Sequence, residues 1–234
     1  MREDRNAGNR QLSKHHPKGL VILYEDRDII VIDKPAGLLT MATEREREKT
    51  AYFMLTDYVR KGNPKSNNRI FIVHRLDRET SGVVVFAKTE QAKRFLQDNW
   101  HDFSKKYVAV VHGILKEKEG IIESYLTENQ VYRVYSVSNP AKGKFSKTGY
   151  RVLRENQKFS LLEIDLFTGT KNQIRVHFSE NGHPVAGDQT YGTTDKGFKR
   201  MALHSMQISF VHPFSKTEIS LKTEVPSNFY ELLR

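Results

Sequence analysis

Residues 71–87 read FIVHRLDRETSGVVVFA, a charged stretch at 74–82 set between two runs of apolar and β-branched residues. Short β-prone runs about a polar interval favour strand–loop–strand, so the charges belong to a loop with both ends anchored in a sheet. The pattern continues upstream. GLVILYEDRDIIVIDKPAGLL (19–39) places apolar runs at 20–24 and 29–32 about the turn-like Glu25–Asp28, and Pro35 and Gly37 end the second run. Thr43 followed by Glu46 has capping-box spacing, and Tyr52, Leu55, Tyr58 and Val59 then recur as on a helix until Gly62-Asn63-Pro64. Downstream, TEQAKRFLQDNWHDF (89–103) puts Ala92, Phe95, Leu96 and Trp100 on one helical face.

Strand-like segments follow: KYVAVVHG, GIIESYL, VYRVYSV, KTGYRVLRE and FSLLEIDLFTG. NQIRVHFSENG reads as a short helix ended by Gly182, MALHSMQISFVHP and TEISLKT as strands, and PSNFYELL as a closing helix. Strands outnumber helices and mostly alternate. The expected class is therefore α+β, with a mixed, mainly antiparallel central sheet and flanking helices. Residues 1–19 are polar and basic and read as a flexible arm, leaving 20–234 as one domain.

The 234 residues carry 38 Lys or Arg against 28 acids, a surplus of +10 that points to a polyanionic partner. Nine of these cations lie between Arg133 and Arg175, and PAKGKFSKTGYR interleaves them with Phe145 and Tyr150. Lys142, Lys144 and Lys147 are accordingly expected to contact nucleic-acid phosphates, the charge alone not choosing among RNA, DNA and an anionic membrane. The chain has no cysteine, which suits a reducing compartment and excludes disulfides and thiolate metal sites. No apolar run is long enough to cross a membrane, and a cytoplasmic monomer is the expectation. No phosphate-binding glycine loop is present, so no nucleotide cofactor is expected. His177, His183, His204 and His212 match no metal-ligand spacing, and no metal is expected either.

Asp77 lies between Arg75 and Arg78, just after His74. Neighbouring cations favour a charged carboxylate, which suits a nucleophile, base or electrostatic group better than a general acid. An ion-paired loop aspartate with no chemical role fits these neighbours equally well.

HRLDRETSG (74–82) closely resembles the signature of RluA-type pseudouridine synthases. Other elements resemble the same family in the same order: DKPAGLL (33–39), KKYVAVVHG (105–113), NQIRVHFSENGHPVAGDQTYG (172–192) and RMALHSMQISFVHP (200–213). The resemblance implies the pseudouridine synthase catalytic fold and isomerisation of uridine in RNA without metal or cofactor. It assigns Asp77 as the essential carboxylate, Tyr107 as the residue stacking on the flipped base, and Arg175 as the partner of Asp77. It also places Leu203 against the base, Arg75 in the space left by the extruded nucleotide, and His74 and Leu76 beside the substrate. The implied partner is structured RNA with a flippable uridine, first large-subunit ribosomal RNA, alternatively transfer RNA or both. An inactive RNA-binding protein on the same fold is the alternative of another class. Thr170 and Asn172 depart from the arginine and histidine usual in relatives, and Ser205 from the usual alanine.

Overall fold

A computed structural model of the protein describes residues 15–192 and 197–234. The strands are β1 (Val21–Glu25), β2 (Ile29–Lys34), β3 (Phe71–Ile72), β4 (Ser81–Ala87), β5 (Ser104–His112), β6 (Glu119–Glu128), β7 (Val134–Val137), β8 (Lys144–Glu155), β9 (Phe159–Leu166), β10 (Leu203–Val211) and β11 (Glu218–Lys222). The helices are α1 (Ala51–Arg60), α2 (Glu90–Asp98), α3 (Gln173–Glu180) and α4 (Ser227–Glu231). All the strands join one sheet in the order β1-β2-β4-β10-β5-β9-β8-β6-β7, with β3 paired to β4 and β11 to β10. Every pairing is antiparallel except β4–β10, a junction of two residue pairs, Ser81 with His204 and Gly82 with Ser205. The architecture is thus α+β and mainly antiparallel, as the alternating strands imply.

Helices cover both faces because successive strand residues point to opposite sides. Ile30, Ile32, Val84 and Phe86 pack with Leu55 of α1 and Ile174 and Phe178 of α3. Ile29, Val31, Val83 and Val85 pack with Ala92 and Leu96 of α2, while Val108, Val110 and Leu161 meet Phe229 of α4. None of the described helices is long and apolar enough to cross a membrane.

Local chemistry moves several expected boundaries. Thr43 does not cap α1. Its N–H and Oγ1 instead close a turn with Glu46, and Thr50 is the cap, accepting the Phe53 N–H at 3.1 Å. The intervening charged residues have no apolar face to bury, so a helix over them would gain nothing from packing. Trp100 lies outside α2. Asn99 ends the helix by donating to the Phe95 carbonyl at 2.7 Å, and Trp100 begins a separate 3-10 turn against His74 and Phe103. Only Val134–Val137 of VYRVYSV is strand, because the Asn129 side chain draws the Val131 and Arg133 N–H groups into a turn. Residues 1–14 of the expected arm lie outside the described residues. At 15–19 the chain is already placed, with Pro17 buried and His16 edge-on to Tyr58 at 6.0 Å.

Candidate active site

Asp77 sits in the loop that enters β4, and the segment after β2 clasps that loop. Thr40 Oγ1 donates to the Leu76 carbonyl at 2.8 Å and accepts the Leu76 N–H at 3.2 Å. The Gly37 N–H donates to the Arg78 carbonyl at 2.8 Å. Lys34, fully buried, spreads its ammonium over the carbonyls of Pro35, Leu38 and Arg78 at 3.0, 2.7 and 3.2 Å. Burial pushes the Lys34 pKa down to about 8 against the opposing pull of Glu79 and Asp77. This is the structural work of DKPAGLL: it fixes the backbone on both sides of Asp77.

The far end of the loop is tied to β10. Arg200 Nη2 donates to Ser81 Oγ at 2.6 Å, Ser81 meets His204 Nδ1 at 2.7 Å, and His204 Nε2 meets Thr223 Oγ1 at 2.9 Å. Thr223 in turn donates to the Met206 carbonyl at 3.3 Å. That last bond makes Thr223 an acceptor toward His204, so Nε2 carries the proton and Nδ1 accepts from Ser81. The imidazole is neutral: burial chiefly, helped by the Arg200 charge, lowers its pKa to about 4. Gly82, at φ 112°, lets β4 press against β10, since a Cβ there would fall 2.1 Å from the Ser205 carbonyl oxygen.

Arg175, on α3, joins two carboxylates. Its Nη1 donates to Asp77 Oδ2 at 3.0 Å and to Asn172 Oδ1 at 3.0 Å. Its Nε and Nη2 donate to the two oxygens of Asp188 at 2.6 and 2.9 Å, a bidentate pair that fixes the guanidinium plane. The Tyr191 ring lies 5.0 Å from the guanidinium. Burial opposes charge on Arg175, yet Asp188 and then Asp77 outweigh it and hold the pKa above its ordinary value. Asp188 is itself buried and accepts the N–H groups of Thr190 and Tyr191 at 2.9 and 3.0 Å. Burial raises its pKa, but Arg175 and these N–H groups prevail and leave it lowered.

Asp188 was not among the candidates from sequence. Its only signal is its place in GDQTYG, where Gly187 turns at φ 75° and the N–H groups of Thr190 and Tyr191, two and three residues past Asp188, bond back to the carboxylate. Asn172, a departure from the family pattern, is the N-cap residue of α3 at φ 55°, but its side chain makes no capping hydrogen bond. Its amide instead links Arg175 to the Tyr191 hydroxyl, 3.2 Å away. Thr170, the other departure, accepts from Ser146 Oγ at 2.8 Å, which ties the loop before α3 to β8.

These groups line a cleft of about 540 Å³, with Asp77, Tyr107, Arg175, Leu203, Arg75 and Leu76 among its walls. Asp77 is the one carboxylate among the described lining residues. Tyr107 of β5 is 8% exposed. Burial, reinforced by the Asp77 charge and opposed by a hydrogen bond with Ser205, pushes its pKa up to about 12. The phenol therefore keeps its proton near neutrality. Trp100 and Gln97, unassigned from the sequence, line the same cleft.

The structure places the remaining expected substrate contacts as follows. His74 lines the cleft, but its Nε2 accepts the Val85 N–H at 3.1 Å and its ring lies 4.5 Å from Trp100. Burial, with the Lys105 charge, lowers its pKa to about 3, so it is a neutral brace for the loop, with one ring nitrogen spent on the sheet. Lys142, Lys144 and Lys147 do not reach the cleft. Ser146 and Thr148 face α3 and its loop, so Lys147 points to the other side of β8, where it pairs with Glu123 at 2.9 Å. The alternation was visible in the sequence; the acidic partner on β6 was not.

The four histidines considered as metal ligands are used separately. His177 bonds Thr148 and Ser124, His183 the His112 carbonyl, and His204 the Ser81–Thr223 chain. His212 lies with Asp26 and Asp28 in a cluster whose candidate ligand atoms are within 4.8 Å. Protein groups already occupy Asp26: Tyr24, Asp28 and Ile29 donate to it, and His212 Nε2 lies 2.8 Å away.

Comparison with known proteins gives the family. The family model for RNA pseudouridylate synthase matches residues 28–180. An uncharacterised RNA pseudouridine synthase of Mycoplasma pneumoniae is 34% identical over 92% of this chain and 69% of its own length. The ribosomal large subunit pseudouridine synthase D of Nitrosomonas europaea is also 34% identical, over 92% of this chain and 64% of its own length. Among solved structures, human RNA pseudouridylate synthase domain containing 4 covers 90% of each chain with a TM-score of 0.74 at 23% identity, a likeness of fold. With the family segment matched over residues 28–180 and a relative 34% identical over 92% of this chain, the chain belongs to the RNA pseudouridine synthases.

Proposed function

We propose that Asp77, Tyr107 and Arg175 carry out uridine isomerisation on large-subunit ribosomal RNA. The supporting observation is one carboxylate, Asp77, held 3.0 Å from a doubly clamped Arg175 in a cleft that also contains a buried, protonated tyrosine. In the reaction the bond from C1′ to N1 breaks, the base turns, and C1′ bonds to C5. The C5 proton is lost and N1 gains one, so mass and charge are unchanged.

Asp77 acts on the ribose, by attack at C1′ or by removing the C2′ proton. Both routes start from the carboxylate anion paired with Arg175. Tyr107 and Leu203 hold the detached base and exclude water, which would otherwise hydrolyse the sugar intermediate. Arg75, exposed at the cleft mouth, fills the stack after the uridine leaves it. Flipping a base costs a few kcal/mol, least where it is already unpaired, which favours a loop uridine. The ribosomal assignment draws on relatives named for the large ribosomal subunit.

The test is a site-resolved pseudouridine map of ribosomal and transfer RNA from cells with the wild-type gene, with Asp77→Asn, and without the gene. One or more ribosomal sites should vanish in both altered strains. Sites lost only from transfer RNA overturn the ribosomal target, and undiminished modification by Asp77→Asn overturns the assignment of that residue.

A further inference from the structure

Acid partners decide which surface cations remain available to phosphate. Within 133–175, Lys147 pairs with Glu123, Arg151 with Glu163, Lys171 with Glu128, and Arg175 with Asp77 and Asp188, while Lys142, Lys144, Arg154 and Lys158 form no ion pair with a described carboxylate. A second depression, of about 550 Å³, gathers unpaired cations on one concave surface. Arg27, Lys61 and Arg69 line it, all exposed, and no carboxylate among the described residues forms an ion pair with any of them. Lys88 and Glu25, also in its wall, cancel one another at 2.7 Å. Lys61 is set by the left-handed end of α1 at φ 53°, and the Arg69 guanidinium lies over the Phe71 ring at 4.7 Å.

Two elements run from this depression to the cleft. Arg69 lines the depression and Val73 the cleft; at about 3.3 Å per extended residue they are about 13 Å apart. Thr89, the cap of α2, lines the depression and Gln97 the cleft; at about 1.5 Å per helical residue the span is about 12 Å. One stacked nucleic-acid strand rises about 3.4 Å per nucleotide, so both routes correspond to roughly three to four nucleotides.

We propose that this depression binds the sugar-phosphate backbone of the RNA whose uridine enters the cleft, three to four nucleotides away. The inference rests on the reading of the cleft as the uridine site.

The test uses the full chain carrying Arg27→Gln, Lys61→Gln and Arg69→Gln together. A second triple variant, Lys116→Gln, Arg154→Gln and Lys158→Gln, is the charge-matched control. Binding by fluorescence anisotropy between 50 and 200 mM KCl uses two single-stranded RNAs centred on one uridine, with two or eight nucleotides on each side. For the longer RNA, the slope of log affinity against log salt should become shallower by about 2, from three phosphate contacts at about 0.7 each. The shorter RNA should show no change, which also establishes that the variant is folded, and the control should match wild type. An unchanged slope with the longer RNA overturns the proposal. So does an equal change with the shorter RNA or in the control. Pseudouridine formation is scored separately on ribosomal RNA; its absence refutes the enzymatic reading while the salt slopes still decide the surface.

Discussion

Replacing Asp188 with asparagine preserves side-chain volume and removes one charge from the group that orients Arg175. Asp188 has no exposed side-chain surface and gives both oxygens to the guanidinium at 2.6 and 2.9 Å. Breaking a buried pair by removing one partner costs about 3–5 kcal/mol. Here Arg175 keeps Asp77 and Asn172, and asparagine keeps one acceptor, so about 2–3 kcal/mol is expected. At a urea dependence of about 3 kcal/mol per molar, the unfolding midpoint should fall by about 1 M. The catalytic effect is separate: a guanidinium free to shift by an ångström misplaces Asp77, on the order of a hundredfold in rate. Urea unfolding at pH 7 gives the first quantity. Single-turnover pseudouridine formation at saturating RNA gives the second, with RNA affinity little changed. Because the folded Asp188 pKa is lowered, its stabilisation is complete above the ordinary 3.8 and is lost as pH falls through the folded value. Wild-type turnover by Asp188→Asn, with an unmoved urea midpoint, would refute the idea that this buried carboxylate positions Arg175.

Two other perturbations test the scaffold. His74, His177 and His204 are held neutral mainly by burial, with pKa values lowered to about 3, 4 and 4 from 6.5. Below pH 6.5 the unfolded chain takes up protons that the folded chain refuses, so stability is complete above 6.5 and declines as pH falls toward 4. Each histidine contributes up to about 1.4 kcal/mol per pH unit there, and a urea midpoint unchanged from pH 7 to pH 5 would contradict their burial as neutral groups. Thr40→Val removes both side-chain bonds to the Leu76 backbone and should cost about 2–3 kcal/mol and much of the turnover, whereas Thr40→Ser restores both. Equal activity of the two variants would remove the clasp from the account of Asp77.

What could be read beforehand and what could not have a physical division. Strand alternation and the apolar faces of α1 and α2 are local, so the sheet and its helices were legible. The loop identity of 74–82 followed from its flanks in the same way. Asp77, Tyr107, Arg175 and Leu203 were named through resemblance, since 98 residues separate Arg175 from Asp77 and no local pattern joins them. Asp188 and Thr40 were missed because each acts by completing another residue's hydrogen bonds, a task any small polar side chain could perform on paper. The ion pair of Lys147 is hidden for the complementary reason: a charge count along the chain omits the strand alongside, which carries Glu123. Thr43 lost the helix cap to Thr50, with the same chemistry a few residues on; only packing chose between them.

The parallel contact between β4 and β10 has a consequence for how the protein comes into being. β4 and β5 are not neighbours; β10 lies between them, so Asp77 and Tyr107 flank a strand synthesised long after both. A fragment ending at residue 180 would contain Asp77, Tyr107 and Arg175, yet lack the strand that sets their spacing. Ser81 and His204 meet across 123 residues, a closure that carries a large loop entropy and belongs late in folding. The sheet between β4 and β5 therefore closes only once Leu203–Val211 has been made, after about nine-tenths of the chain.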